Sequence, residues 1–571
     1  MIDNIAAVPG PDSSGVEALE VSARRWAWSA STWRWLALGS VLVLACATRL
    51  WKVQDVPGNV FYDAAVRSMG SSWHNFFFGA LEPSGTVSID KPPVDLWLQV
   101  ASTRVFGFGL LGLHLPEALG GVLACGLLLG ALWCPFGYAV AFPAALVLAV
   151  LPASVLTARS DTMDSVLAAL EVIALWLSWQ ALQSGRLRWS VAAAVVMGVA
   201  FNVKLAEMLV AAPAFALLWL WAAAPGARIR AALATGATFL VVACSWTAIA
   251  SVTPLNHRPF PIGSSNGSIW HVTLVYNGLN RLSSQGATGR VEGGAGPLRL
   301  FSAGPLQYWT LIGIALLATC LLTSWALAAI LSQDGMPALR AAFARPSGRF
   351  AAGILVWFLT GLVAFSAMER LQPRYLEAFA PAVCAMLGLS VGVLWRGGLG
   401  RGGVGRGRSG SGGSGRGEAS TDRAGRRIAL RGALVCLGAG LLAVSFNKDA
   451  YIVDRARSDS LLTDFSTPAL SRYLRAHRTG ARYEVASANV NDTIGIVARD
   501  GLPVLVLNSV DGSLTRTAQL RADVASGLMR FYFATSHTCH KGRHCAGNQV
   551  WAYAHSFPVA GQPGLRRFMR P

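Results

Sequence analysis

Charge is what this sequence has least of. Only 13% of its 571 residues are Asp, Glu, Lys or Arg, about half the quarter typical of soluble chains. With 53% hydrophobic residues, most of the chain has no water to face, which excludes a single soluble body. Acidic residues are scarcer than basic ones, 29 against 48, for a net charge of +19. That excess does not describe a nucleic-acid surface. The basic residues fall in short gaps between apolar runs, as at Arg24-Arg25, Arg186 and Arg188, Arg228 and Arg230, and Arg340 to Arg349. Cytoplasmic loops carry their charge this way under the positive-inside rule, and no nucleic-acid partner is expected.

Polar cysteine is nearly missing as well. Seven of the nine lie inside apolar runs (Cys46, Cys125, Cys134, Cys244, Cys320, Cys384 and Cys436), with no metal-binding spacing, and behave as small apolar residues. Cys539 and Cys545 flank a polar stretch, where a local disulfide is expected outside the cytoplasm. Free thiols or a metal pair with His540 and His544 are the alternative. No small-residue cleavage site follows the first apolar run, which is therefore expected to stay as an anchor. No G-x-G-x-x-G or other phosphate loop occurs.

What the chain does have is apolar segments near the ~20 residues needed to cross a bilayer. They read at 35–51, 113–133, 138–156, 163–182, 189–203, 205–224, 231–251, 306–331, 350–367, 376–395 and 429–446. The pair meeting at Asn202-Val203-Lys204 is either two spans or one kinked span. Counted as two, it gives about eleven spans and a mainly α, polytopic transmembrane protein. The expected organisation is a cytoplasmic N-terminal extension over 1–34, a transmembrane core over 35–395, and a Gly/Arg/Ser-rich cytoplasmic linker over 396–428. A last span over 429–446 would export a small α/β domain over 447–571. Within that domain, Tyr483 to Ala488 and Pro503 to Asn508 read as strands. Asp492–Arg499 and Thr515–Ser526 read as helices and Met529–Ala534 as a further strand, an alternation that predicts a parallel sheet.

On this count three polar stretches face outward, 52–112, 157–164 and 251–304. In the first, Phe61, Ala65, Met69, Trp73, Phe76 and Phe77 recur at helical spacing, predicting an interfacial amphipathic helix. Val94 to Phe108 reads likewise, after a Pro92-Pro93 start. The acids of these ends are Asp63, Asp90, Asp95, Asp161 and Asp164, with Glu369 and Glu377 near a later turn. Asp90-Lys91-Pro92-Pro93 places an acid beside a base under two prolines, able to hold a metal or phosphate at headgroup level, or to be an ordinary helix start with solvated charges. Lys204 in apolar surroundings either snorkels or meets an anion.

Taken in order, these motifs resemble the GT-C membrane glycosyltransferases of family 39, the protein mannosyltransferases and aminoarabinose transferases. The resemblance is carried by Phe61-Tyr62-Asp63-Ala-Ala-Val-Arg67-Ser-Met69, Ser72-Trp-His-Asn-Phe-Phe-Phe-Gly79 and Asp90-Lys-Pro-Pro93. It continues in Arg159-Ser-Asp-Thr-Met-Asp164, Phe201-Asn-Val-Lys204, Arg258-Pro-Phe-Pro-Ile-Gly-Ser264 and Val275-Tyr-Asn-Gly-Leu-Asn-Arg281. The tail resembles the C-terminal domain of mannosyltransferase-like proteins of the YkcA/YkcB type.

The resemblance implies an enzyme of the cell membrane that moves a sugar, mannose or another, from a polyprenyl-phosphate donor to a protein, glycolipid or cell-wall acceptor. Transfer would occur at the outer face with inversion. A carboxylate takes the acceptor proton and cations stabilise the leaving phosphate. A divalent cation is a cofactor the resemblance allows but does not require, and Asp90 takes a metal or an acceptor-site role. Asp90, Asp63, Asp161 and Asp164 are then the candidate catalytic acids. Lys91, Arg67, Lys204, Arg374 and Tyr375 are candidates for the donor phosphate, and Tyr276, Asn277 and Arg281 for the acceptor side. Two departures from the pattern stand out. Relatives carry an acidic pair ahead of the first-loop tyrosine where this chain has Gly58-Asn59, leaving Asp63, one helical turn on, as the displaced base. Where some relatives have a histidine, this chain has Gln372. The rival readings are a degenerate member that binds polyprenyl lipid without catalysis, and a lipid-linked-sugar flippase, which internal repeats and mid-membrane acids would favour.

Overall fold

The structure, a computed structural model, describes residues 13–280, 294–302, 308–333, 335–369, 371–397, 467–477, 480–509, 512–534 and 546–569, with isolated positions at 432, 438, 440 and 443. Arg281, Cys539, Cys545, His540 and His544 lie outside the described residues, as do nearly all of the 396–428 linker and of the 429–446 segment.

Among the described residues, seven helices are long and apolar enough to cross a membrane. They are Thr32–Asp55, Leu110–Phe136, Asp164–Ser184, Leu187–Val210, Pro225–Val252, Trp309–Ser332 and Pro346–Ala367. An eighth arises if Tyr138–Val150 and Pro152–Ala158, bent by 57° where they meet, form one span. Pro152 opens the second of these helices, because the residue before a proline is steered out of the α region. Eight of the eleven expected segments are met by these helices; 205–224 and 376–395 hold shorter apolar helices, and 429–446 lies almost wholly outside the described residues. The segment 205–224 is a 3-10 turn, Leu205–Val210, that continues the preceding span, followed by the helix Ala212–Ala222. Eleven residues alone reach only about 16 Å at 1.5 Å per residue, so the helix returns the chain from the Lys204 junction to the Trp221 and Arg349 end only together with the turn before it. Ala380–Arg396 is also apolar but shorter than the others.

Successive helices run antiparallel, which sorts their connections to two ends. The turns carrying Arg186 and Arg188, Arg228 and Arg230, and Arg340 to Arg349 share one end. There the guanidinium of Arg349 donates to the Trp221 carbonyl at 3.1 Å, and Arg396 reaches the Phe136 carbonyl. The opposite end carries 52–108, 158–164, the Lys204 junction, 252–280 and 368–379. It gathers the buried acids Asp63, Asp95, Asp161, Asp164 and Glu377.

Helices meet through small residues, as expected where lipid removes the hydrophobic drive and close packing remains. A Cβ on Gly361 would lie 2.2 Å from the Phe379 ring, and one on Gly388 would lie 2.4 Å from the Val140 carbonyl. Trp357, Phe215, Phe350, Phe365 and Phe379 fill the interior beside them.

The amphipathic stretch of the first polar loop forms two helices, Val60–Met69 and Trp73–Phe78, separated at Gly70-Ser71-Ser72. The Ser72 hydroxyl accepts the amide of Asn75 and so restarts the helix; a side-chain cap of this kind satisfies a donor the first turn cannot. The expected helix after Pro93 is present as Val94–Phe106. Two short strands, β1 (Val87–Ser88) and β2 (Phe260–Pro261), pair in parallel and tie the first polar loop to the third.

The C-terminal domain holds β3 (Val485–Ser487), β4 (Val504–Val506), β7 (Phe531–Phe533), β8 (Ser556–Pro558) and β9 (Leu565–Phe568) in the order β4-β3-β7-β9-β8. A separate hairpin pairs β5 (Asn508–Ser509) with β6 (Gly512–Ser513). β3 lies parallel to β4 and β7, while β9 runs antiparallel to β7 and β8. The sheet is mixed where a parallel one was expected. The crossover helices Ile494–Asp500 and Thr517–Ala525 permit parallel neighbours, whereas the short link between β8 and β9 allows only a hairpin. Helix Ile494–Asp500 packs against Val60–Met69, docking this domain on the first polar loop.

Candidate functional site

Helix Val60–Met69 starts at Asn59, whose side chain accepts the Phe61 amide at 3.1 Å. The Asn59 amide itself donates to both carboxylate oxygens of Asp161, at 3.1 and 3.0 Å. That bond brings the helix start against the 158–164 turn and places Asp63 beside Asp161. Both carboxyls are buried, Asp63 to 5% exposure and Asp161 to 1%, and they share a side-chain hydrogen bond. Burial first, and then the Asp161 charge, push the Asp63 carboxyl up to about 9. At neutral pH Asp63 therefore keeps its proton, as burial beside a second carboxyl requires.

Gly58 is a consequence of this pair. A Cβ there would sit 2.5 Å from an oxygen of Asp63, closer than any real contact. Asp63 reaches back one turn and occupies the space that a side chain at 58 would fill. The missing acid at Gly58-Asn59 and the presence of Asp63 are thus two sides of one arrangement.

The cations stand opposite. Lys91, 9% exposed, donates to the Tyr62 hydroxyl at 3.1 Å and lies 3.8 Å from Asp90. Burial opposes its charge, but Asp90 and Tyr62 more than offset this and hold the ammonium above its ordinary range. Arg374 comes from the 3-10 turn Pro373–Ala378. Burial works against its charge too, yet Tyr62, Tyr375 and Asp164 raise it overall. Its buried Nε has no hydrogen-bond partner, which leaves a donor to satisfy. Tyr62 is therefore the residue common to both cations. Asn277, from a stretch of π-helix over His271–Leu279, donates to the Asp90 carbonyl and to Val272 at 3.1 Å. It fixes the backbone beside Lys91.

Lys204 meets an anion. Its ammonium lies 2.8 Å from Asp164, both side chains being 1% exposed, and it also reaches the Thr162 carbonyl. The pair joins the Leu187–Lys204 helix end to the first residue of Asp164–Ser184. Met163, at φ 72°, is the N-cap that turns the chain into the Asp164–Ser184 helix. Arg67 faces the C-terminal domain: its Nε donates to the Ala498 carbonyl at 2.8 Å, and its guanidinium lies over the Phe108 ring. Tyr276 packs where a Cβ on Gly263 would meet its ring at 2.7 Å.

Beneath the pair lies a second layer that sequence reasoning missed in part. Gln99 donates to Asp95 at 2.8 Å and to the Asp161 carbonyl at 3.2 Å. Burial pushes Asp95 up to about 6, against the hydrogen bonds from Glu117 and Gln99 that lower it. Glu117 in turn accepts the Ser165 amide at 2.8 Å. Arg159 donates to the Trp51 carbonyl and holds the end of the first span. Arg49 binds Ala149, Leu148 and Ser154, and Ser154 donates to Glu377 at 2.8 Å. Asp95, Glu377 and Arg159 were visible in the sequence; Gln99, Ser154, Arg49 and Glu117 were not singled out, and for Arg49 and Glu117 the available signal was charge inside an apolar run.

A divalent cation needs several hard oxygen ligands converging on one point. Among the described residues no group of three or more His, Cys, Asp or Glu is placed to hold a metal ion, and the Asp90 carboxylate faces Lys91. The residues at Asp90 do not fit a metal. Lysine and arginine supply the positive charge there.

With this geometry in hand, the chain can be set beside known proteins. Residues 90–249 match the family model described as dolichyl-phosphate-mannose-protein mannosyltransferase. The chain is 35% identical over 242 residues to "Putative mannosyltransferase YkcB" of Bacillus subtilis (strain 168), which is 42% of this chain and 34% of that protein. It is 33% identical over 260 residues to "Putative mannosyltransferase YycA" of the same organism, 44% and 38% of the two chains. It thus spans little more than a third of the length of these curated relatives. Its fold is similar to that of ArnT from Cupriavidus metallidurans bound to undecaprenyl phosphate, with a TM-score of 0.55 at 16% identity, over 94% of this chain and 98% of that one. The apo structure of the same protein aligns with a TM-score of 0.51 at 18% identity, over 84% and 86%.

Proposed function

We propose, for a chain homologous to the family 39 membrane glycosyltransferases, that it transfers a sugar from a polyprenyl-phosphate donor to a hydroxyl of an acceptor on the extracytoplasmic face. The observation that carries this reading is the juxtaposition of two cations and a proton-sharing acid pair around Tyr62. Undecaprenyl phosphate on the similarly folded ArnT supports the donor class. The arginine-bearing turns share the end opposite the site, and positive turns favour the cytoplasm, which supports an outward-facing site.

In the proposed reaction the acceptor oxygen attacks the anomeric carbon from the face opposite the phosphate. The new carbon–oxygen bond forms as the bond from carbon to phosphate oxygen breaks, and its electron pair leaves with the polyprenyl phosphate. Lys91 and Arg374 stabilise the charge that develops there, an electrostatic contribution strongest in a buried site. The acceptor's proton passes to the Asp63–Asp161 pair, in which Asp161 carries the negative charge and Asp63 the resident proton. A single displacement of this kind inverts the anomeric configuration. Lys204 and Asp164 position the turn that carries Asp161, and Asn277 positions Asp90-Lys91.

Membranes containing the chain, supplied with radiolabelled polyprenyl-phosphate mannose and other polyprenyl-phosphate sugars, test the reading. Wild type is expected to transfer label, and Lys91→Met to lose about 10²- to 10³-fold in rate, the cost typical of one lost transition-state donor. A wild-type chain inert towards every such donor, or a Lys91→Met chain at the wild-type rate, would end it.

A further inference from the structure

A cleft of about 660 Å³ lies between the C-terminal domain and the two polar loops tied by β1 and β2. It has no part in the chemistry described above. One wall is Ser84 to Val87 with Phe260, and the other is Arg482 with Leu505, Val506, Leu514 and Thr515. Its size falls in the range of small-molecule sites. Among the described residues its charge is one-sided: His74, His257, Arg258 and Arg482 line it, and no carboxylate does. Glu82 and Glu484, each two residues from a lining position, are 1% and 4% exposed, and Glu82 is turned away, accepting the Ser84 amide and the Thr86 amide and hydroxyl.

The cleft is built from the same strand that leads to the site. Val87 lies in its wall, and Asp90 follows three residues later, so the two Cα atoms are at most about 11 Å apart along the chain. A molecule seated in the cleft can present a hydroxyl towards Lys91 and the acid pair while the rest of it stays between the domains. Arg258 is held in place by donating to the Thr253 and Gly267 carbonyls at 3.0 and 2.8 Å. His74 bonds the His257 carbonyl at 3.0 Å. Arg482 is exposed at the rim.

We infer that this cleft is the acceptor subsite and that its acceptor is an anionic glycan, carrying phosphate groups alongside the hydroxyl that is glycosylated. The inference rests on the transferase reading above and names its substrate class. One-signed clefts with low-dielectric walls concentrate ions of the opposite sign and speed their capture. Guanidinium groups match phosphate oxygens with paired, charge-assisted hydrogen bonds. The C-terminal domain, which supplies Arg482, then contributes the choice of acceptor, while the membrane core contributes the chemistry.

The test measures binding of a phosphorylated mannose oligosaccharide and of its unphosphorylated counterpart to the purified full chain in detergent, with transfer assayed in parallel. Wild type is expected to prefer the phosphorylated probe at least tenfold, with the preference shrinking as salt rises from about 0.05 to 0.5 M and the screening length shortens. Arg482→Glu is expected to remove about tenfold of that preference and leave the neutral probe unchanged. Asn256→Asp, at another exposed lining position, should act in the same direction without touching an arginine. Equal binding of the two probes, or preference intact in both variants, overturns the inference, as would an acidic peptide outcompeting the glycan. Preference without transfer from any polyprenyl donor would sink the transferase reading and leave the cleft standing. Transfer to phosphorylated acceptors indifferent to both variants would sink the cleft alone.

Discussion

The Asp63–Asp161 pair makes a prediction with a worked sign. Unfolded, Asp63 releases its proton near the ordinary 3.8; folded, it keeps that proton to about 9. Between those limits the native state binds one proton more than the unfolded chain, so stability falls as pH rises. Below about 4 and above about 9 the contribution is flat. One proton corresponds to a little over 1 kcal/mol per pH unit, which makes about 3 kcal/mol between pH 5.5 and 8. Asp63→Asn removes the titration while its amide can still donate to Asp161. Thermal unfolding of detergent-solubilised wild type and Asp63→Asn, followed across that range, should therefore diverge, with wild type losing several degrees relative to the variant as pH rises. At neutral pH the variant should keep transfer within about tenfold, because the Asp161 carboxylate remains, whereas Asp161→Asn should lose at least 10²-fold. Parallel stability curves would refute the shared proton. Equal activity losses in the two variants would refute the division of roles.

Three further outcomes follow from the same geometry. Lys204→Met strands Asp164 in the interior and should cost about 3–5 kcal/mol of stability, seen as lost folded yield, while adding Asp164→Leu should recover much of it. Gly58→Ala places a Cβ 2.5 Å from the Asp63 carboxyl; transfer should fall with expression intact, and unchanged transfer would show that the pair tolerates displacement. Arg67→Ala removes the bond to Ala498 and should speed protease cleavage of the C-terminal domain in the native protein, with stability of the membrane core unaltered.

What could be read from the sequence was local. Asp90-Lys91-Pro-Pro, the helix after Pro93 and the acid opening Asp164–Ser184 each declare themselves within a few residues. The β-strands and helices of the tail were legible from alternation, but not the reversal at β9, since direction depends on which strands end up adjacent. The shapes of the spans were not legible because hydropathy measures only the length of an apolar run. It does not register the break at Leu151-Pro152 or the change of helix type at Leu205, where φ is 50°. The Asp63–Asp161 pair was out of reach because its partners are nearly a hundred residues apart, joined through one backbone amide at Asn59. Arg67 shows the same limit. The family resemblance made it a candidate for phosphate, and only the docking of Ile494–Asp500 decides where its donors go.

That docking gives the Val60–Met69 helix an unusual position. Its first turn presents Tyr62 to Lys91 and Asp63 to Asp161, and its last turn presents Arg67 to the C-terminal domain. Ten residues therefore connect the cations, the acid pair and the domain that closes over the polar loops. Gly501, at φ +65°, lies at this junction; a Cβ there would come within 3.2 Å of the Arg67 side chain, so the domain sits close enough that its fit and the tilt of the helix are one quantity. A shift of the domain large enough to widen the basic cleft must move Arg67 or break its bond to Ala498. Under the proposed chemistry, an acceptor that draws the domain inward would also settle Asp63 against Asp161. Binding the second substrate and completing the base would then be a single movement.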